Sequence, residues 1–219
     1  MDKKFFNLLL TIVVLFISSN VFCKEQTKLD IVLNNLEKEN KTITDFQTNY
    51  FQTITYLSTD EQLYSEGIFK YKKQNYIYLE QTKPERQYNY IDGRNITTYI
   101  PANRQAIVEK WKDVVNSDVI LTSVFRFINN WKTFKKDFIV ELKEETKVNY
   151  LFLIKSKDVK EKWEMTINIS KNTFQVIKVS FNNENFTVNI KLVNYRLNNN
   201  FSKDMFKFVV PKNIEVICL

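Results

Sequence analysis

The chain contains no histidine, which removes the commonest general base and the commonest metal ligand together. It has two cysteines, two glycines and three prolines among 219 residues. Cys23 falls in the N-terminal leader, so the remainder keeps a single thiol, Cys218, and can close no internal disulfide. Thiolate zinc sites are excluded for the same reason. Two isolated glycines, Gly67 and Gly93, cannot build a phosphate-cradling loop. Carboxylate pairs such as Glu144-Glu145 sit in polar connections, a poor setting for paired acid–base work. No stretch rich in Pro, Gly or Ser divides the chain, and no repeat is detectable. These absences point to a binding protein rather than an enzyme, with no metal and no cofactor.

What is present begins with an export signal. Lys3 and Lys4 precede an apolar run at residues 5–17, and Val21-Phe22-Cys23 offers a cleavage site. The run is short for a bilayer span, so residues 1–23 are expected to be a cleaved secretory signal peptide and residues 24–219 a single domain. An uncleaved anchor and a lipid-modified Cys23 are the alternatives; the bulky Phe22 speaks against the second. The formal charge of +7 falls by one when Asp2, Lys3 and Lys4 are lost. The charges are interspersed along the chain, and export argues against a nucleic-acid partner.

Residues 25–40 have helical periodicity, with Leu29, Val32, Leu33 and Leu36 on one face. Strands follow at 46–57 and from 64 to 110, where Tyr76, Tyr78 and Glu80 alternate with Ile77, Leu79 and Gln81. Gly67 within a strand marks a bulge or a close backbone approach. Asp92-Gly93 predicts a type I′ hairpin with positive φ at both central residues, and Pro101 closes the next strand. Residues 119–128 then form a helix that is apolar over most of its girth. Ile120, Leu121, Val124, Phe125, Phe127 and Ile128 leave Thr122, Arg126 and Asn129 as a narrow polar edge. From Phe138 to Arg196 the pattern is an antiparallel meander, and residues 205–211 read as a last short strand before a polar end.

The sum is mainly β with α, an α+β chain. It forms one large curved antiparallel sheet of roughly ten or eleven strands, an incomplete β-barrel with helices in its concave side as a lid.

Gly67, the basic pair Lys72-Lys73, Pro84, Asp92-Gly93 and Tyr99-x-Pro101 stand in a distinctive order. With the leader, the first helix, the apolar mid-chain helix and Phe206-x-Phe208-x-x-Pro211, that order resembles the LolA-type periplasmic lipoprotein carriers over nearly the whole chain after the leader. The resemblance implies a periplasmic, monomeric carrier that takes lipoprotein acyl chains into an apolar cavity and moves them from the inner to the outer membrane. It also implies an inner-membrane lipoprotein-releasing ABC transporter and an outer-membrane lipoprotein acceptor as partners. Leu29, Leu33 and Leu36, with the apolar residues of 120–128, would line the cavity and lid. The family has Arg-Pro where this chain has Lys73-Gln74. Lys73 would therefore be the lid latch, with the charge of arginine but without its planar fork of donors. A lipid- or lipoprotein-sensing module of the same fold is the alternative. A lipid-hydrolysing enzyme stands behind it for want of bases.

Overall fold

The computed structural model describes residues 27–110, 124, 127 and 130–219. The predicted leader with its cleavage site at Cys23 lies outside these residues. So do Ile120, Leu121, Phe125 and Ile128. Val124 and Phe127 are both helical.

Helix α1 is Lys28–Thr42. It starts three residues later than the periodicity suggests, because Thr27 supplies the N-cap and accepts a hydrogen bond from the Asp30 amide at 3.2 Å. The chain then runs through β1 (Asp45–Tyr56), β2 (Gln62–Lys72), β3 (Tyr76–Lys83), β4 (Gln87–Asp92), β5 (Asn95–Ile100) and β6 (Gln105–Lys110). A second helix, α2 (Trp131–Asp137), precedes β7 (Phe138–Glu145), β8 (Asn149–Ser156), β9 (Trp163–Ser170), β10 (Val176–Asn183) and β11 (Phe186–Leu197). The last strand is β12 (Glu215–Cys218).

All twelve strands join one sheet in the order β12-β6-β5-β4-β3-β2-β1-β11-β10-β9-β8-β7. β7 and β12 are its two edges, so the sheet is an unclosed barrel. Eleven strands pair antiparallel, as expected; β12 alone lies parallel to its neighbour β6.

Three local expectations need correction. Residues 205–211 form no strand: a 3₁₀ turn spans Lys203–Phe206, and Val209 and Val210 are exposed. Phe206 and Phe208 use their rings against Tyr76, Tyr90 and Tyr99, and this side-chain packing replaces backbone pairing. The ladder forms later, where Val216 and Ile217 meet the free edge of β6. The β4–β5 turn has positive φ at Gly93 alone, so it is not type I′. Its other demand is met by the Asp92 carboxylate, which accepts from the amides of Arg94 and Asn95, both at 2.8 Å. Finally, α2 was not anticipated.

Register settles which side chains share a face. Phe46 opposes Tyr71, Tyr71 opposes Ile77, Ile77 opposes Ile91, and Ile91 opposes Ile96. Across the other half, Ile54 opposes Val188, which opposes Phe181, Met165, Ile154 and Val140 in turn. Phe46 and Ile54 are both even-numbered positions of β1, so the two series lie on one face. That is the inner face.

Candidate functional site

The inner face carries two apolar patches. Val140, Phe152, Ile154, Trp163, Met165, Ile167, Ile169, Val179, Phe181 and Val188 form the larger, on β7 to β11. Tyr71, Ile77 and Ile91, flanked by Phe46, Phe69 and Ile96, form the smaller, on β1 to β5. Helices cover the larger patch. Val32, Leu33 and Leu36 of α1 pack on it together with Phe127 and with Trp131 and Phe134 of α2. Leu33 and Phe134 have no exposed surface, and Phe127 has 1%. Leu29 and Val124 are partly buried against the same cluster. Of the predicted lid residues, these five of the first and mid-chain helices therefore meet on one surface.

Three groups of contacts hold α1. At its start, the Thr27 hydroxyl and then the Lys135 ammonium, 3.0 Å away, hold the Asp30 carboxyl below its ordinary range. Lys28 pairs with Glu145 of β7. At its end, Lys73 donates from Nζ to the Lys41 carbonyl at 2.8 Å. The last four carbonyls of a helix have no partner within it and carry the negative end of the helix dipole, so a cation there is doubly suited. Lys73 occupies this place because the β2–β3 turn puts Gln74 and Asn75 at φ of 75° and 63°. A proline, fixed near −65°, cannot stand at position 74 of such a turn, which accounts physically for the departure from the family's Arg-Pro.

Lys157 does for α2 what Lys73 does for α1. Its Nζ donates to the carbonyls of Lys135 and Lys136, at 2.7 and 2.9 Å. The sequence analysis assigned Lys157 no role; a lone lysine in a hairpin turn gives no signal until α2 is known.

The other predicted residues serve the sheet. At Gly67 the β2–β3 register shifts, and an added Cβ would lie 1.8 Å from the Glu80 carbonyl oxygen and 2.9 Å from Cε1 of Tyr50. The predicted bulge and the predicted close approach are both there. Pro84 lies between β3 and β4 after a cis peptide bond, and Pro101 opens a 3₁₀ turn directly after β5. Tyr99 is on the outer face, stacked on Tyr88 and packed on Phe208.

Sequence reasoning also passed over Tyr50 and Asp45. Tyr50 is buried on the inner face, and burial pushes its hydroxyl up to about 12. Asp45 is fully buried on the other face. Its carboxylate accepts from the amides of Asn199 at 2.6 Å and Phe201 at 3.3 Å, and Lys72 lies 3.9 Å away.

The geometry defines a class: an unclosed β-barrel whose greasy inner face is covered by helices capped at their ends by lysines. Residues 41–209 match the family model described as outer membrane lipoprotein carrier protein LolA, and the chain belongs to that family. An outer-membrane lipoprotein carrier protein from Haemophilus ducreyi is 25% identical over 224 residues, covering 99% of this chain and 96% of that one. One from Shewanella halifaxensis is 23% identical over 175 residues, covering 80% and 79%. The fold is also that of an uncharacterized conserved protein from Thermus thermophilus, with a TM-score of 0.58 at 14% identity. That match covers 88% of this chain and all of the other.

Proposed function

We propose that this protein is a periplasmic carrier that shelters the acyl chains of lipoproteins against its inner face and moves them from the inner to the outer membrane. The observation that carries the reading is the helical cover: apolar helix side chains, tethered at helix ends, lie on an apolar sheet. On this reading the leader is removed near Cys23 and the carrier works as a monomer. It is loaded by an inner-membrane lipoprotein-releasing ABC transporter and unloaded onto an outer-membrane lipoprotein acceptor. The predicted export signal and family membership support this assignment.

Magnitudes fit a carrier. Burying Val32, Leu33 and Leu36 contributes roughly 5–9 kcal/mol, and an acyl chain of about fifteen methylenes brings about 12 kcal/mol. One chain thus already outweighs the displaced α1 side chains, and two or three drive loading further. Unloading is helped because the emptied protein re-buries its own helices. Ile120, Leu121, Phe125 and Ile128 are proposed to join Leu29, Leu33, Leu36, Val124 and Phe127 as the lining of the opened space. Native mass spectrometry of the protein from its own periplasm tests the assignment. A bound acylated polypeptide supports it, and protein that is always empty there removes it.

Lys73 is proposed as the latch, with Lys157 as its counterpart on α2. Lys73→Leu should leave the fold intact, because the contact is at the surface and worth about 1 kcal/mol. Weakening the closed state by that amount should raise lipopeptide retention roughly fivefold and slow transfer to the acceptor. Lys157→Leu should act in the same direction. The checks are melting temperature and the rate of lipopeptide transfer between purified proteins. Wild-type transfer in both variants would refute the latch.

A further inference from the structure

Three buried side-chain polar atoms lack a hydrogen-bond partner among the described residues: the Tyr50 hydroxyl, Nε1 of Trp131 on α2, and Oδ1 of Asn168 on the outer face. Of these, Tyr50 is the one that stands on the inner face of the sheet. Its neighbours differ. Thr48, fully buried on the same strand face, donates to the Val193 carbonyl at 2.7 Å. Asn89 and Thr98, also on the inner face, satisfy each other at 2.8 Å. A buried donor left unpaired costs stability that a phenylalanine would not, so its presence calls for a partner that arrives.

The ring's position is built rather than incidental. Tyr50 opposes Gly67 across β1 and β2, and a side chain at 67 would collide with its Cε1. The sheet gives up a side chain at the point where the tyrosine ring lies. Tyr50 belongs to neither apolar patch; on β1 it stands between Phe46, which flanks the smaller patch, and Ile54, which packs against the larger. Gln52 and Ser65, directly opposite each other on the same face, extend this polar interruption along the strands.

We propose that the Tyr50 hydroxyl donates a hydrogen bond to the carbonyl oxygen of an acyl ester or amide whose hydrocarbon chain lies on the flanking apolar patch. The inference rests on the carrier reading and deepens it, because it names the part of the ligand that is read. Hydrocarbon on either side of β1 supplies affinity without discrimination. The buried hydroxyl on the sheet sets how far along it the chain's polar end comes to rest. Acyl esters occur in lipoproteins and in phospholipids, and this contact serves either.

The test uses the full mature protein and four probes: a synthetic diacylglyceryl-cysteine peptide, a diacylphosphatidylglycerol, and the dialkyl-ether counterpart of each. Wild type should bind each ester roughly tenfold more tightly than its ether, the ether oxygen being a poorer acceptor with no carbonyl beside it. Tyr50→Phe should erase that preference, leave ether binding unchanged, and raise the melting temperature of the empty protein. Preference confined to the peptide names lipoproteins as the source; preference in the phospholipid pair alone names bilayer lipid. Equal binding of ester and ether by wild type overturns the proposal without recourse to any variant. An unaltered preference in Tyr50→Phe also overturns it, while the carrier reading stands. Wild type binding none of the four probes removes the carrier reading and the proposal together.

Discussion

Gly67→Ala is expected to destabilise the protein by at least about 3 kcal/mol, the upper end for forcing an extra carbon into a packed site. The methyl group would be placed 1.8 Å from the Glu80 carbonyl oxygen, about half a normal contact distance. That oxygen is backbone of the neighbouring β3 strand and cannot swing aside like a side-chain tip. Relief requires β2 and β3 to part at the place where their register already shifts. Tyr50, 2.9 Å from the same position, blocks the other direction. Gly93→Ala is the internal comparison. It lies in an exposed turn at φ 86°, where the penalty is backbone strain of about 1–2 kcal/mol and the nearest atom is 3.2 Å away. Denaturant midpoints of the two variants should therefore separate clearly. A Gly67→Ala protein no less stable than Gly93→Ala would show that the close approach is not a constraint.

The contrast between the glycines also explains what the sequence made legible. With only two in the chain, each had to stand where nothing else fits, so both could be interpreted without a structure. The strands were legible because alternation such as Tyr76 to Gln81 repeats over many residues and is fixed by one buried face. The first helix was legible for the equivalent reason. The segments that misled are those whose apolar residues serve something other than a ladder. Phe206 and Phe208 have strand spacing, yet they answer to tyrosines on the outer face. β12 is four residues long and parallel to a strand 110 positions earlier in its register, and no local pattern carries that information. α2 is seven residues, too short for a periodic signal, and rests on an Asn130 cap and the burial of Trp131 and Phe134. Lys157, Tyr50 and Asp45 share a different difficulty. Their roles depend on partners 17 or more residues away, so one residue type at one position says nothing until the chain is folded.

Asp45→Ala is expected to cost about 3–5 kcal/mol, the range for removing one partner of a buried charge. The substitution would leave the Asn199 and Phe201 amides without their acceptor and Lys72 facing an apolar methyl group. The two amides use different carboxylate oxygens, so Asp45→Asn keeps an acceptor for one of them and loses the other with the charge, and should cost less than Asp45→Ala. The loss should be uneven across the molecule. Next to Asp45, Asn198 accepts from the Thr44 amide at 2.8 Å and donates to the Thr42 carbonyl at 3.4 Å. The Asn198 amide in turn donates to the Asp45 carbonyl at 2.8 Å. One knot thus ties the end of α1, the start of the central strand and the segment that carries Phe206. Hydrogen exchange in Asp45→Ala should accelerate first at residues 198–206 and at the last turn of α1, with β8 to β10 still protected. Uniform loss of protection would make Asp45 an ordinary buried residue. Selective loss would mean that the covering helix and the C-terminal arm are fastened at one place, so that whatever lifts the helix is felt on the opposite face of the sheet.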